Sequence, residues 1–212
     1  MSTIRPARPI HSLQRVLLGL GLLTSAWAWW MIATPVMTFS TDRHAGHFAT
    51  VFVHVCGGTL MLFLGIANLY IGLTRSGFHW HRWLGRIYLV GGGIGALGAI
   101  TVTSSMAHKP AGGPLLTNTT VSLMTLATAW LVAAGLGWRA ARHHRIDSHR
   151  DWMIRSYVLA WSFVFCRIVS RVPAFGDLGN GEAFIWLSWV APLLACEWAL
   201  QWRDGARAAR PA

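Results

Sequence analysis

The sequence predicts an all-α protein: a polytopic bundle of six transmembrane helices with both termini cytoplasmic. Three observations predict this class. First, apolar stretches at 16–38, 48–73, 85–107, 118–140, 152–171 and 183–202 fill most of the 212 residues. A hydrocarbon core about 30 Å thick needs about 20 helical residues at a rise of about 1.5 Å each. Second, hydrophobic residues make up 54% of the chain and charged residues only 12%, against about 25% charged in soluble domains. Third, the basic residues alternate between loops. With the N-terminus inside, Arg5, Arg8, Arg15, Arg75, Arg82, Arg86, Arg139, Arg142, Arg145, Arg150, Arg203, Arg207 and Arg210 fall inside, and only Arg43, Lys109 and Arg171 outside. That asymmetry is the positive-inside signature.

Helices suit these runs because each satisfies its own backbone hydrogen bonds where water is absent. The runs are too long, and alternate too little, for barrel strands. The chain divides into a basic tail at 1–15, a membrane domain at 16–202 and a second basic tail at 203–212. The net charge of +11 follows the topology and meets anionic headgroups, so nucleic acid is not an expected partner. The first run has a basic start and an Ala26–Trp27–Ala28 site. It continues apolar to Met37, so it reads as an uncleaved anchor.

Trp27, Trp29 and Trp30 near one boundary, and Trp80, Trp83, Trp138, Trp152, Trp198 and Trp202 near the other, form the expected aromatic belts. Trp130 and Trp161 fall mid-membrane as packing residues. Cys56, Cys166 and Cys196 lack C-x-x-C spacing and read as small apolar fillers. Pro and Gly break the chain at 108–116 and 172–182. In the third run Gly91, Gly95 and Gly98 share a face, which lets another helix approach closely. In the second, His47, His54, Met61 and Asn68 recur every seven residues, so this polar stripe faces one way, into the bundle.

Ionisable groups at lipid depth cost about 2.5–3.5 kcal/mol on insertion scales, so each needs a reason. They sort into two layers. The outer one holds His44, His47, His54, His108 and Arg167; the inner one holds His79, His81, Arg82, Arg86, His149, Asp151, Arg155 and Glu197. Four explanations compete for the histidines: ordinary buried imidazoles, axial haem ligands, a non-haem metal site, or a proton or solute path. A haem reading allows an outer site, His54 with His47 or His108, and an inner one, His81 with His149. Spacing alone does not choose, since H-E-x-x-H and C-x-x-C-H are absent. Arg155 and Asp151 stand one turn apart as an expected ion pair. Glu197 is expected to pair with an inner-layer arginine. Arg167 either snorkels outward or contacts an anionic group such as a haem propionate.

Two stretches carry a resemblance. The first joins His54, Gly57, Gly58 and Gly65 to an HR-x-x-GR-x-Y motif at His81, Arg82, Gly85, Arg86 and Tyr88. The second is HR-x-WM-x-RSY at His149, Arg150, Trp152, Met153, Arg155, Ser156 and Tyr157, followed by Arg167. This pattern resembles a bacterial family of predicted membrane proteins, domain-of-unknown-function family 2306, over about residues 45–172. The resemblance implies a helical core in a bacterial inner membrane and brings no established activity with it. A more distant likeness, histidine motifs at helix ends, points by analogy to haem-carrying bundles and oxidase maturation factors.

The residues therefore support one leading expectation. The chain is a multi-pass protein that binds haem b, or another redox centre, through His54, His81 and His149, for electron transfer with a membrane redox complex. Arg155 and Arg167 would hold acidic groups. The alternatives are a non-enzymatic scaffold or maturation factor and a small-solute or proton transporter.

Overall fold

The structure, a computed structural model, describes residues 48–74, 77–107, 117–169 and 182–208, with the isolated helical positions Gly19, Leu23, Ala26 and Trp30. Among the described residues there are five long helices: α1 (Phe48–Thr74), α2 (Phe78–Ala107), α3 (Asn118–Arg142), α4 (Ile146–Val169) and α5 (Glu182–Ala208). Four of them, α1, α2, α3 and α5, are long and apolar enough to cross a membrane. The expected span at 16–38, the breaks at 108–116 and 172–181, His44, His47, His108, the side chain of Arg167 and most of both tails lie outside the described residues.

Two helices begin well before their apolar runs. α2 starts at Phe78 and α4 at Ile146, so each histidine–arginine motif forms the opening turns of a helix. α4 is not among the four apolar spans. Its first ten residues carry Asp147, His149, Arg150, Asp151 and Arg155, which lower its hydropathy below that of its neighbours. α5 continues past Trp202 to Ala208 with Pro192 inside it.

Successive helices pack side by side, α1 on α2, α2 on α3 and α3 on α4, and α4 returns to α1 to close a ring. α5 lies on α4, with a smaller contact on α3. Antiparallel neighbours place α2 and α4 parallel to each other across the ring. Glycine governs the α1–α2 contact. A Cβ at Gly57 would fall 2.5 Å from the Gly91 carbonyl oxygen and 2.8 Å from the Gly95 Cα. Gly98 likewise lies against His54. The glycine face of α2 is thus a close helix–helix contact, as small residues permit in membranes.

Gly77, at φ 67°, turns the chain from α1 into α2. Thr117 caps α3 by accepting the Thr120 backbone N–H. The α3–α4 connection is shorter and more constrained. The N–H of Arg145 donates to the Ala140 carbonyl at 2.9 Å, and His144 adopts a left-handed φ of 56°.

Leu62, Ile66, Tyr88, Leu126, Trp130, Tyr157 and Val164 build the core. Phe52, Leu60, Val90, Leu97, Val132 and Leu194 point outward. An apolar exterior of this kind matches a lipid solvent. Trp80, Trp83, Trp138, Trp198 and Trp202 are exposed, as belt residues are. Trp152 differs: it packs against the core beneath the Arg155 guanidinium, 4.8 Å from its ring.

Candidate functional site

The polar interior is concentrated at the arginine-rich end, where α1 and α3 finish and α2 and α4 begin. His81 stands in the first turn of α2 and His149 in the first turn of α4. Their rings meet across the ring of helices, centroids 6.1 Å apart and planes at 88°. The His149 Nδ1–H donates to the Gly137 carbonyl at 2.9 Å, which fixes the tautomer and leaves Nε2 as the lone-pair nitrogen. Phe78 stacks on the His81 ring at 5.1 Å.

The His81 Nδ1 is buried without a hydrogen-bond partner, and so are both side-chain amide atoms of Asn68. Asn68 is only 8% exposed, so its unmet amide is costly, about 1–3 kcal/mol. The His81 ring reaches the Asn68 backbone, and its Cε1 lies 4.0 Å from where a Cβ on Gly72 would sit. Unmet polar atoms thus belong to His81 itself and to Asn68, whose backbone the His81 ring reaches.

Seven residues farther along both parallel helices a second polar layer appears. Ser156 donates to the Met153 carbonyl at 3.0 Å, so Tyr88 donates to Ser156 across the ring at 2.9 Å. Trp130 in turn donates to the Tyr88 oxygen at 3.3 Å. Tyr157 donates to the Leu62 carbonyl at 3.4 Å and accepts from Trp161 at 3.0 Å. These layers hold the helices in register around the site.

Ion pairs tie α4 to α5 beside it. Arg155 forms a two-pronged contact with Glu197, at 2.5 and 2.8 Å. Arg203 holds Asp151 in the same way, with both bonds at 2.9 Å. The expected Arg155–Asp151 pair is therefore replaced by two inter-helix pairs, because α5 brings a carboxylate and a guanidinium of its own. Burial acts to raise the Asp151 pKa. The hydrogen bonds and charge of Arg203, with the charge of Arg150, outweigh it and hold the carboxyl below its ordinary value. Arg150 stands 3.4 Å from Asp147 and 3.5 Å from Asp151, at ion-pair distance without hydrogen-bond geometry.

The structure brings together His81 and His149 among the expected site residues, and it sets His54 apart. His54 donates from Nδ1 to the Gly95 carbonyl at 2.7 Å and meets the Phe163 ring edge-on at 6.0 Å. Gly95 lies fourteen residues beyond His81, about 21 Å along α2, so the three histidines do not share one metal. Among the described residues no group of three or more His, Cys, Asp or Glu could hold a metal ion. Cys56, Cys166 and Cys196 form no disulfide with one another. The Gly137 carbonyl that orients His149 and the Arg203 that claims Asp151 carry no motif. The equal spacing His81–Tyr88 and His149–Ser156 is the one sequence signal that could have paired the two motifs.

Fold and site together define a class: a helical membrane bundle with a half-buried histidine pair at its basic end. The chain belongs to the family described as predicted membrane protein (DUF2306), whose model matches residues 51–199. No curated protein and no solved structure matches it.

Proposed function

We propose that the protein is a membrane electron-transfer subunit that binds haem b between His81 and His149. The approach of these two imidazoles from facing helices carries the reading. Their centroids lie 6.1 Å apart, so His81 and His149 would hold one haem iron between them once each ring turns its free nitrogen inward. A metal ion held by protein alone needs further ligands that this pair lacks. Haem would bring most of its iron's ligands itself, so His81 and His149 alone could hold it. Bundles build such sites from side chains on facing helices, as α2 and α4 do here.

Each residue then has a task. The Gly137 carbonyl holds the His149 ring and raises its basicity, as partners of metal-bound histidines do. Asn68 offers its unmet amide to a polar edge of the ligand or to a water beside it. The Tyr88–Ser156 layer fixes the spacing between α2 and α4. Arg155 is engaged by Glu197 and acts as a strut, and Arg167, about 27 Å along α4 from His149, would serve a headgroup at the opposite boundary. Bound haem would supply one-electron chemistry. The same reading includes a sixth helix at 16–38, a bacterial inner membrane, a membrane redox complex as partner, and cytoplasmic termini, for which the arginine asymmetry speaks.

A reduced-minus-oxidised visible spectrum of detergent-purified protein from haem-sufficient cells tests the proposal. Haem bands are expected in the parent and in His54→Ala, and their loss in His81→Ala and His149→Ala. A well-folded, colourless parent protein overturns it and leaves the scaffold reading, which co-purification of a partner complex would support.

A further inference from the structure

The HR-x-x-GR-x-Y motif divides between two faces of α2. His81 and Tyr88 turn into the bundle, whereas Arg82 and Arg86 turn away from it and are exposed. With Phe78, His79 and Trp83 they line a surface cleft of about 450 Å³. The two guanidiniums stand one turn apart, and Arg86 lies over the Trp83 ring at 5.4 Å.

We propose that this cleft holds the phosphate of an anionic phospholipid. Charge is the first argument. Asp147, Asp151, Glu197 and Asp204 each engage Arg150, Arg155 or Arg203. No carboxylate pairs with Arg82 or Arg86 among the described residues. Two planar guanidiniums one turn apart can grip one phosphate with several charge-assisted hydrogen bonds.

The second argument selects a lipid over a free anion. Directly above the cleft, Ile87, Val90, Ile94 and Leu97 form an exposed apolar stripe along the same side of α2. Val90 and Leu97, the outermost pair, are 63% and 59% exposed. A headgroup in the cleft lays its acyl chains along that stripe. Trp83 (61% exposed) and Phe78 (54% exposed) mark the headgroup level, where interfacial aromatics sit. Basic clefts at this depth attract acidic lipids by about fivefold per arginine. The two arginines turn to a different face of α2 from the histidine pair, and only Phe78, stacked on His81, borders both sites.

Native mass spectrometry of the full-length protein, released from nanodiscs of equimolar phosphatidylcholine and phosphatidylglycerol, tests the proposal. Preferential retention of phosphatidylglycerol is expected. Arg82→Gln alone should lower it roughly fivefold, and the Arg82→Gln/Arg86→Gln double variant should reduce it to the phosphatidylcholine level. Arg139→Gln/Arg142→Gln, at the same end of α3, should leave it unchanged. Undiminished retention in the single or double cleft variant overturns the proposal, as does an equal loss in the α3 control. Complete displacement of the lipid by inorganic phosphate would make the cleft a free-anion site and also overturn it.

Discussion

Tyr88 donates a hydrogen bond to Ser156 across the helix ring, seven residues beyond the point where His81 meets His149 on the same two helices. Two parallel helices in matching register bring two contacts into line. The outer contact is dry and satisfied; the inner one is aromatic and leaves polar atoms unmet. Tyr88 is 1% and Ser156 0% exposed, so neither has water as an alternative partner.

Tyr88→Phe removes a donor to Ser156 and the acceptor for the Trp130 indole N–H. Membrane hydrogen bonds average about 0.6 kcal/mol and reach about 1.7. With two lost together, a destabilisation of about 1–2 kcal/mol is expected, read as a lower unfolding midpoint in detergent. Ser156→Ala should cost less, because Trp130 keeps its acceptor.

The paired glycines of α1 should respond oppositely to the same change. Gly57→Ala places a methyl 2.5 Å from a backbone carbonyl of α2, whereas a Cβ at Gly58 meets nothing within 4 Å. Gly57→Ala must push α1 from α2 and weaken the His54–Gly95 bond, costing about 1–3 kcal/mol. Gly58→Ala should be neutral or slightly stabilising. Thermal unfolding of the two variants side by side decides it.

Asp151 should make the α4–α5 contact acid-sensitive. Its carboxyl is held below the ordinary value, so its stabilisation is complete above the unfolded pKa of about 3.9. It fades as pH falls through the lower folded value, because the unfolded chain then binds more protons. The unfolding midpoint should therefore drop between neutral pH and pH of about 3, and the drop should shrink in Asp151→Asn.

His144 occupies the left-handed region at φ 56°, which a β-branched residue tolerates poorly. His144→Val should cost about 1–2 kcal/mol, and His144→Gly should be at least as stable as the parent. Both are measurable by thermal unfolding, since the side chain is exposed.

Much of the fold is legible in the sequence because lipid imposes a simple rule. The starts of the runs at 48 and 118 coincide with α1 and α3, where apolar residues begin abruptly. α2 and α4 begin earlier than their apolar runs, since interfacial His and Arg are helical without being hydrophobic. The inner pairing of His81 with His149 is one option that layering allows. The distance that joins them depends on which helices face each other, and spacing does not encode that. For the same reason spacing matches Arg155 with Asp151 on its own helix, whereas the stronger partner, Glu197, sits on α5.

The most direct test of the central claim is the electron paramagnetic resonance spectrum of the oxidised protein. If His81 and His149 together hold the haem iron, the ferric protein should be low-spin, since two imidazoles are strong ligands. The account predicts that low-spin signal in the parent protein and its conversion to high spin, or its loss, in His149→Ala. Folded parent protein with no ferric haem signal, or a low-spin signal untouched by replacing either histidine, would contradict it.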